Sequence, residues 1–302
     1  MRNSEIVIGS RGSDLALWQA NYIKDLLEKE GQTVRIQIIK TQGDIIQHLS
    51  FDKMEGKGFF TKELETALLE NKVDLAVHSF KDLETNQPDD LSISAILNRA
   101  NPADILLIRK GFSDSNERWT LKKNIKVGTS SARRKMQLTL HRPDLEIDDI
   151  RGNVPTRVQK LRDGNFDAIV LAKAGLDRLN LDVSDLEAFE FDPREFIPAP
   201  AQGALACQIR TSDTELAEVL KALHNPKIAN IVDTERKVLN LFHGGCQMPL
   251  GAYCLETEEG VELRAIMAAS YGEMPSQVFL KAETTEGLAE KAFAELKKKT
   301  PA

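Results

Sequence analysis

Residues 125–172 read IKVGTSSARRKMQLTLHRPDLEIDDIRGNVPTRVQKLRDGNFDAIVLA and decide the fold. Short apolar runs at 125–128, 146–150 and 167–172 alternate with two amphipathic stretches, ARRKMQLTLHR and residues 155–163. The short runs predict buried strands, and the amphipathic stretches predict helices. This alternation is typical of an α/β unit with a mostly parallel sheet covered by helices.

The N-terminal part of the chain repeats the same alternation. Ser13 or Asp14 can cap the first predicted helix and Thr61 the second, because short polar side chains accept hydrogen bonds from free helical N–H groups. A second α/β unit is therefore expected. The pattern predicts strands at 6–9, 34–39 and 73–78, and helices at 15–30 and 62–71.

Proline marks two segments that flank the middle unit, RANPAD (99–104) and FIPAPAQG (196–203). Because proline biases the preceding residue away from helix, both segments suit extended crossings between domains. After residue 221 a long helical pattern, a hairpin around Glu-Glu-Gly, a short strand and a final helix predict a small α+β domain. The predicted domains are 1–98 with 199–220, 99–198, and 221–302.

The composition of the 302 residues is that of a soluble globular chain, with 41% hydrophobic residues and a net charge of −6. The first residues contain no apolar signal core, and no window reaches the length of a membrane span. Three cysteines do not suggest a secreted disulfide framework. We expect a cytoplasmic protein with no membrane association, and a monomer.

Basic residues recur at predicted strand-to-helix turns. Arg11 lies in GSRGS, Arg133 and Arg134 follow TSSA, and Arg151 and Arg157 flank GNVPT. Small residues let N–H groups face outward at a helix start, and a guanidinium adds a bidentate fork for carboxylate or phosphate. The recurrence predicts a small polyanionic ligand. Nucleic acid is disfavoured by the acidic chain and by the lack of aromatic residues interleaved with a basic stripe.

The segment HSFKDLE (78–84) follows a predicted strand, so His78 to Asp82 are expected at the carboxyl edge of a sheet, where α/β proteins bind ligands. Asp82 is the carboxylate best placed for proton transfer, and a turn-capping aspartate is the alternative. Lys81 could hold a ligand anion. His78 could be a general base or a histidine packed at a strand end.

Cys246 lies in FHGGCQMPLGAYC (242–254), after two glycines. An irregular loop there could present a thiolate to a ligand, while a buried inert cysteine is the alternative. No CxxC pair occurs, so a metal site is not expected.

Together these motifs resemble the hydroxymethylbilane synthase family, also called porphobilinogen deaminase. The resemblance runs through most of the chain in order: IGSRGSDLALWQA, GKGFFTKELETALL, VDLAVHSFKDLE, VGTSSARR, DIRGNVPTR, DAIVLAKAGLDRL, PAQGALACQIR and GGCQMPLGAY.

The resemblance implies two α/β domains of the periplasmic-binding-protein type joined by two crossings, and a third domain with a cofactor loop. It implies a dipyrromethane cofactor held by a thioether at Cys246, and the joining of four porphobilinogen units with loss of ammonia. Asp82 matches the catalytic carboxylate. The positions that match anion-binding residues are Arg11, Ser13, Lys57, Lys81, Thr129, Ser131, Arg133, Arg134, Arg151, Arg157 and Gln202.

Four residues depart from the usual family pattern: Glu84, Ala132, Lys173 and Ala201. None falls on the acid or on the cofactor cysteine, so they concern loop geometry. The stretch between Gly43 and Gly56 could form a lid.

Two other classes of function remain open at this point. A noncatalytic anion-binding module would use the same arginine turns, but it gives no reason for Cys246 on a glycine loop. A cysteine-nucleophile hydrolase would use Cys246 and a histidine such as His78, although no local signature of that class is present.

Overall fold

The computed structural model describes residues 4–41, 61–245, 247–270 and 272–299. The chain divides into two compact units, Met1–Ala100 with Ala204–Asn230 and Asn101–Gly203 with Ile231–Ala302. Each unit is therefore built from two separate stretches of chain. The division into three domains, which is finer than these two units, remains a prediction from the sequence.

The strands and helices predicted within residues 6–78 and 125–172 are present, and further elements that the sequence patterns did not predict accompany them. The strands are β1 (Ile6–Ser10), β2 (Val34–Ile38), β3 (Leu75–Ser79), β4 (Leu91–Ile96), β5 (Asp104–Ile108), β6 (Lys126–Gly128), β7 (Glu146–Asp148), β8 (Ala168–Ala172), β9 (Glu187–Glu190), β10 (Leu205–Arg210), β11 (Leu250–Thr257), β12 (Gly260–Met267) and β13 (Ser276–Ala282). The helices are α1 (Asp14–Lys29), α2 (Lys62–Leu69), α3 (Ala132–His141), α4 (Val154–Arg162), α5 (Lys173–Arg178), α6 (Thr214–Leu220), α7 (Pro226–Leu241) and α8 (Leu288–Lys299).

The first unit contains a five-stranded sheet in the order β2-β1-β3-β10-β4. Strand β1 runs parallel to β2 and β3, whereas β10 runs antiparallel to β3 and β4. Ile23 and Leu27 of α1 are fully buried in the same core as Ile6 and Ile8 of β1. Burial of such side chains contributes roughly 1.5–3 kcal/mol each, which fixes α1 on the sheet.

The second unit contains a five-stranded sheet in the order β7-β6-β8-β5-β9. Strand β6 runs parallel to β7 and β8, and β5 runs antiparallel to β8 and β9. Leu106 belongs to a buried cluster with Val170, and Ile105 belongs to a different cluster with Ile169. Adjacent residues of a strand point to opposite faces, so both faces of this sheet are covered.

In the two five-stranded sheets, the strands predicted from the alternation pair in parallel, as expected, and the other four of the eight strand pairs are antiparallel. Strands β5 and β10 follow the first two of the three places where the chain passes from one unit to the other, and both enter their sheets antiparallel. The α/β class itself is confirmed. It comprises two sheets entered by crossing chain segments and a small sheet near the C-terminus.

That small sheet lies in the second unit and has the order β11-β12-β13, with both pairs antiparallel. The predicted hairpin is confirmed, with Thr257 paired to Gly260 at its tip. Leu288 and Ala292 of α8 are buried in the core beneath this sheet.

Glu235, fully buried on α7, joins this sheet to the second crossing segment. Its carboxylate accepts hydrogen bonds from the N–H groups of Ala201 (2.7 Å) and Cys254 (2.8 Å). Ala201 adopts a left-handed φ of 60°, the conformation that favours glycine. The departure from the family pattern at this position therefore occurs in strained backbone that Glu235 anchors.

The backbone conformation at Gly260 predicts that the hairpin requires glycine at this position. At its φ of 126°, an added Cβ would lie 2.3 Å from the carbonyl oxygen of Ala282, so Gly260→Ala should lower the free energy of unfolding by more than about 2 kcal/mol. Gly111→Ala is the matched control, because φ is 89° there and nothing lies within 4 Å. It should cost about 1–2 kcal/mol, and equal losses in urea unfolding would contradict the clash.

Candidate active site

Strands β1 and β3 are parallel neighbours, so their carboxyl ends meet at the same edge of the first sheet. Arg11 and Ser13 follow β1, and Lys81 and Asp82 follow β3. Four of the residues predicted from the sequence therefore lie at one edge of this unit.

Ser13 caps α1, as expected. Its hydroxyl accepts a hydrogen bond from the N–H of Ala16 at 3.4 Å. Thr61 occupies the corresponding position of α2, but its side chain makes no capping bond in the described part of the chain, so that prediction is wrong. The turn between β1 and α1 is fixed by Ser10, whose buried hydroxyl donates to the carbonyl of Arg11 (3.0 Å) or of Ala16 (3.1 Å).

Asp82 ends a single 3-10 turn, Phe80–Asp82, between two buried side chains. Phe80 and Leu83 are both 1% exposed, and the N–H of Phe80 donates to the carbonyl of Ala204 at 3.0 Å. Asp82 itself is exposed. The turn thus fixes the backbone at Asp82 and leaves its carboxylate accessible to solvent. A catalytic carboxylate needs both properties.

In the second unit, Ser130 ties two of the predicted anion-binding turns together. Its hydroxyl donates to the carbonyl of Ile150 (2.8 Å) and accepts from the N–H of the same residue (3.1 Å). Thr129 and Ser131 flank Ser130, and Arg151 follows Ile150. The turns after β6 and β7 are therefore neighbours, and hydroxyl groups and a guanidinium lie on adjacent backbone.

The second of these turns requires glycine. Gly152 has a φ of 114°, and an added Cβ would lie 2.6 Å from Thr156. Asn153 caps α4 by accepting from the N–H of Thr156 (3.0 Å), and Arg157 donates through Nε to the carbonyl of Gly152 (2.7 Å). This bond fixes the side chain of Arg157 against the turn.

Arg133 and Arg134, predicted as ligand contacts, surround the buried carboxylate of Asp104. Arg133 donates to one oxygen of Asp104 at 2.7 Å, and Arg134 donates through two nitrogens to the other oxygen, at 2.7 and 3.1 Å. Asp104 is fully buried, and the two arginine side chains are 4% and 7% exposed. Most of their hydrogen bonding is therefore internal.

One donor of this cluster differs from the rest. The Nε atom of Arg133 is buried and has no hydrogen-bond partner among the residues that the structure describes. Because an unpaired buried donor is costly, this atom is a candidate contact for a bound anion.

Gln202 completes the cluster from the second crossing segment. Its amide nitrogen is within hydrogen-bonding distance of the carboxylate of Asp104 (2.9 Å) and the carbonyl of Pro102 (2.7 Å). Arg133 also donates to the carbonyl of Ile197 at 2.8 Å. The cluster thus joins α3, the start of β5 and the segment that leads out of the unit.

Burial alone would raise the pKa of Asp104, but the charges and hydrogen bonds of Arg133 and Arg134 hold it well below its ordinary value of 3.8. The carboxylate therefore stays ionised, and the three groups together carry one net positive charge.

Asp104 belongs to the site but was not among the residues predicted from the sequence. It appeared only as the end of RANPAD, although an acidic residue directly before the apolar run ILLI is a signal for a buried, paired charge. Lys57, Cys246 and the stretch between Gly43 and Gly56 lie outside the described residues.

The other two cysteines are buried, and burial raises the pKa of Cys207 to about 12. A thiol with such a pKa stays protonated at neutral pH and is a poor nucleophile.

Fold and site together define an α/β protein with basic and hydroxyl residues at its strand-to-helix turns and an exposed carboxylate at one sheet edge. Comparison with known families makes this specific. Residues 6–218 match the model described as porphobilinogen deaminase, dipyromethane cofactor binding domain. The chain belongs to the porphobilinogen deaminase family.

Curated relatives support this assignment along nearly the whole chain. The porphobilinogen deaminase of Clostridium novyi (strain NT) is 40% identical over 271 residues, which cover 89% of each chain. That of Maridesulfovibrio salexigens is 44% identical over 273 residues, covering 90% of this chain and 87% of the relative. That of Helicobacter acinonychis is 44% identical over 270 residues, covering 89% and 86%.

Among solved structures, the periplasmic VFT2 domain of Bordetella pertussis BvgS is 13% identical with a TM-score of 0.44, covering 76% of this chain and 93% of that one. Likeness at this level is too weak to define a fold, which rests here on the strand orders. Within the described ranges, no helix is long and apolar enough to cross a membrane.

The Asp104 cluster predicts a large loss of stability in Asp104→Asn. Removing one partner of a buried ion pair typically costs about 3–5 kcal/mol, because the remaining charges are left uncompensated. Glu5→Gln is the matched control, since Glu5 pairs with Arg35 at 2.8 Å with both side chains nearly half exposed. It should cost less than about 1 kcal/mol in urea unfolding, and similar losses would contradict the account.

The ion pairs of Asp104 with Arg133 and Arg134 also predict how the stability of the protein depends on pH. A depressed pKa in the folded state stabilises the fold fully above the unfolded value of 3.8 and loses that contribution as pH falls toward the folded value. The difference in unfolding free energy between the wild type and Asp104→Asn should therefore be constant from about pH 7 to pH 5 and shrink below about pH 4. A difference that shrinks already near pH 6 would contradict the assignment.

Proposed function

We infer that the chain catalyses the porphobilinogen deaminase reaction. It joins four porphobilinogen units head to tail, with release of ammonia, and releases the linear tetrapyrrole hydroxymethylbilane. In a chain of this family, the observation that carries the inference is the exposed carboxylate of Asp82 on a fixed turn, at the same sheet edge as Arg11 and Lys81.

The charges of the site suit this substrate. Each pyrrole ring carries an acetate and a propionate, while the chain itself has a net charge of −6. Taking a carboxylate out of water costs several kcal/mol, and one charge-assisted hydrogen bond returns about 1.5–3 kcal/mol. Each ring therefore needs more than one donor placed in advance, and the arginines and hydroxyls at the strand ends supply them.

The donor set also fits the family's dipyrromethane cofactor, whose carboxylates need hydrogen-bond donors. In the second unit these are the hydroxyls of Thr129 and Ser131, the guanidiniums of Arg151 and Arg157, and the unpaired Nε of Arg133. When bound, the cofactor supplies the covalent primer from which the pyrrole chain grows. We propose Cys246 as its attachment point.

Asp82 is proposed as the catalytic carboxylate. Its carboxyl group can give a proton to the departing amine, and its carboxylate can stabilise the cationic centre that loss of ammonia leaves on the substrate. Lys81, next to it on the same turn, can hold a substrate carboxylate. Lys57 and Gln202 are retained as proposed binding residues, and the contacts of Gln202 with Asp104 suggest that it acts through the arginine pair.

Asp82→Asn should lower the rate of hydroxymethylbilane formation at least about 100-fold, because the amide can neither give the proton nor carry the charge. The thermal midpoint should not change, since Asp82 is exposed. The matched control is Asp90→Asn, which changes an exposed carboxylate in the same unit and should keep the full rate.

Two results would contradict this proposal. A normal rate in Asp82→Asn would remove Asp82 from the mechanism. Binding of porphobilinogen by the wild type without release of ammonia would favour a noncatalytic anion-binding protein.

A further inference from the structure

A chain of hydrogen-bonded amides lies in the first unit, next to the turn that carries Asp82. Gln208 on β10 is fully buried. Its Oε1 lies 3.0 Å from Nε2 of His78, and its Nε2 donates to Oε1 of Gln87 at 2.6 Å. Gln87 in turn donates through Nε2 to the carbonyl of Glu84 at 2.6 Å. The chain thus begins on β3 and ends two residues beyond Asp82.

The donors and acceptors of this chain have a single consistent arrangement. The carbonyl of Glu84 can only accept, so the amide nitrogen of Gln87 must face it and the amide oxygen must face Gln208. Gln208 then presents its nitrogen to Gln87 and its oxygen to His78. His78 must therefore carry a proton on Nε2, which rules out this nitrogen as a general base.

A third contact strengthens this arrangement. The nitrogen of Gln208 also donates to Oε1 of Glu65 on α2 at 3.1 Å. Both hydrogens of the amide are then used, each on an oxygen that needs a donor. Rotating the Gln208 amide by half a turn would place its oxygen against two other oxygens, so the orientation is fixed.

We propose that Gln87 and Gln208 are positioning residues for Asp82, an inference that rests on the proposed function. Asp82 is exposed, and its carboxylate makes no hydrogen bond within the described ranges. Its place is therefore set by the backbone on either side. Before Asp82, the N–H of Phe80 donates to the carbonyl of Ala204, the residue that precedes β10. After Asp82, the carbonyl of Glu84 is linked through Gln87 to Gln208 of β10.

Rate measurements on the cofactor-loaded enzyme test this proposal. Gln87→Ala removes the tether, and Gln208→Glu keeps an oxygen toward His78 but replaces the donor with an acceptor. A displaced carboxylate should lower kcat about 10- to 100-fold, with KM for porphobilinogen within about twofold of the wild type. Gln159→Ala, which removes an exposed glutamine bonded to Asp163 at 2.8 Å in the other unit, is the matched control and should keep the full kcat.

The double variant shows whether the two glutamines act through one hydrogen-bonded series or have independent effects. If both glutamines act through the same tether, Gln87→Ala/Gln208→Glu should have the kcat of the slower single variant. A product of the two single losses would overturn the proposal, as would a normal kcat in Gln87→Ala. An inactive wild type in the same assay would instead refute the proposed function.

A spectroscopic measurement keeps the proposal testable if Gln208→Glu does not fold. Nitrogen-15 NMR of the wild type, with His78 assigned by a His78→Gln variant, should show the proton on Nε2. A proton on Nδ1 alone would break the amide chain and overturn the proposal.

Discussion

The second unit depends on one buried carboxylate. Asp104 is fully buried at the first residue of β5, where the chain has just entered the unit, and it holds Arg133 and Arg134 of α3. Burying three charges is expensive, and a well-packed apolar cluster would stabilise a fold as well or better. The charges add directional hydrogen bonds, which hold α3 to the start of β5 and to the segment that carries Gln202.

The two carboxylates that matter most have opposite environments. Asp104 is enclosed, paired and kept ionised, so its charge serves the architecture. Asp82 is exposed on a short turn between buried Phe80 and Leu83, so its charge is left for chemistry. In both cases hydrogen bonds to main-chain carbonyls hold the surrounding backbone. Asp82 can therefore be both well positioned and accessible to solvent.

The sequence predicted the features that local patterns determine. The bounds of the predicted strands and helices follow apolar periodicity, and Ser13 lies where helix capping favours it. The placement of Arg11 and Asp82 at the same sheet edge could be predicted because the turns that follow neighbouring parallel strands meet there. The direction of β5 and β10 could not, because a strand's partner is set by tertiary packing rather than by its own residues.

Contacts between residues that are distant in sequence could not be predicted either. Gln208 and Gln87 are 121 positions apart, and Arg133 is 29 positions from Asp104. Nothing local in either pair indicates that the two residues meet. Arg133 and Arg134 were therefore predicted as ligand contacts, although most of their hydrogen bonds in the structure are made to the protein.

The central claim is that this chain builds a covalent dipyrromethane on Cys246 and extends it. Its most direct test is the intact mass of the protein purified from a host that makes porphobilinogen, compared with Cys246→Ser from the same host. The account predicts an excess mass equal to two pyrrole units in the wild type and none in the variant. A bare chain mass in both proteins, persisting after incubation with porphobilinogen, would contradict it.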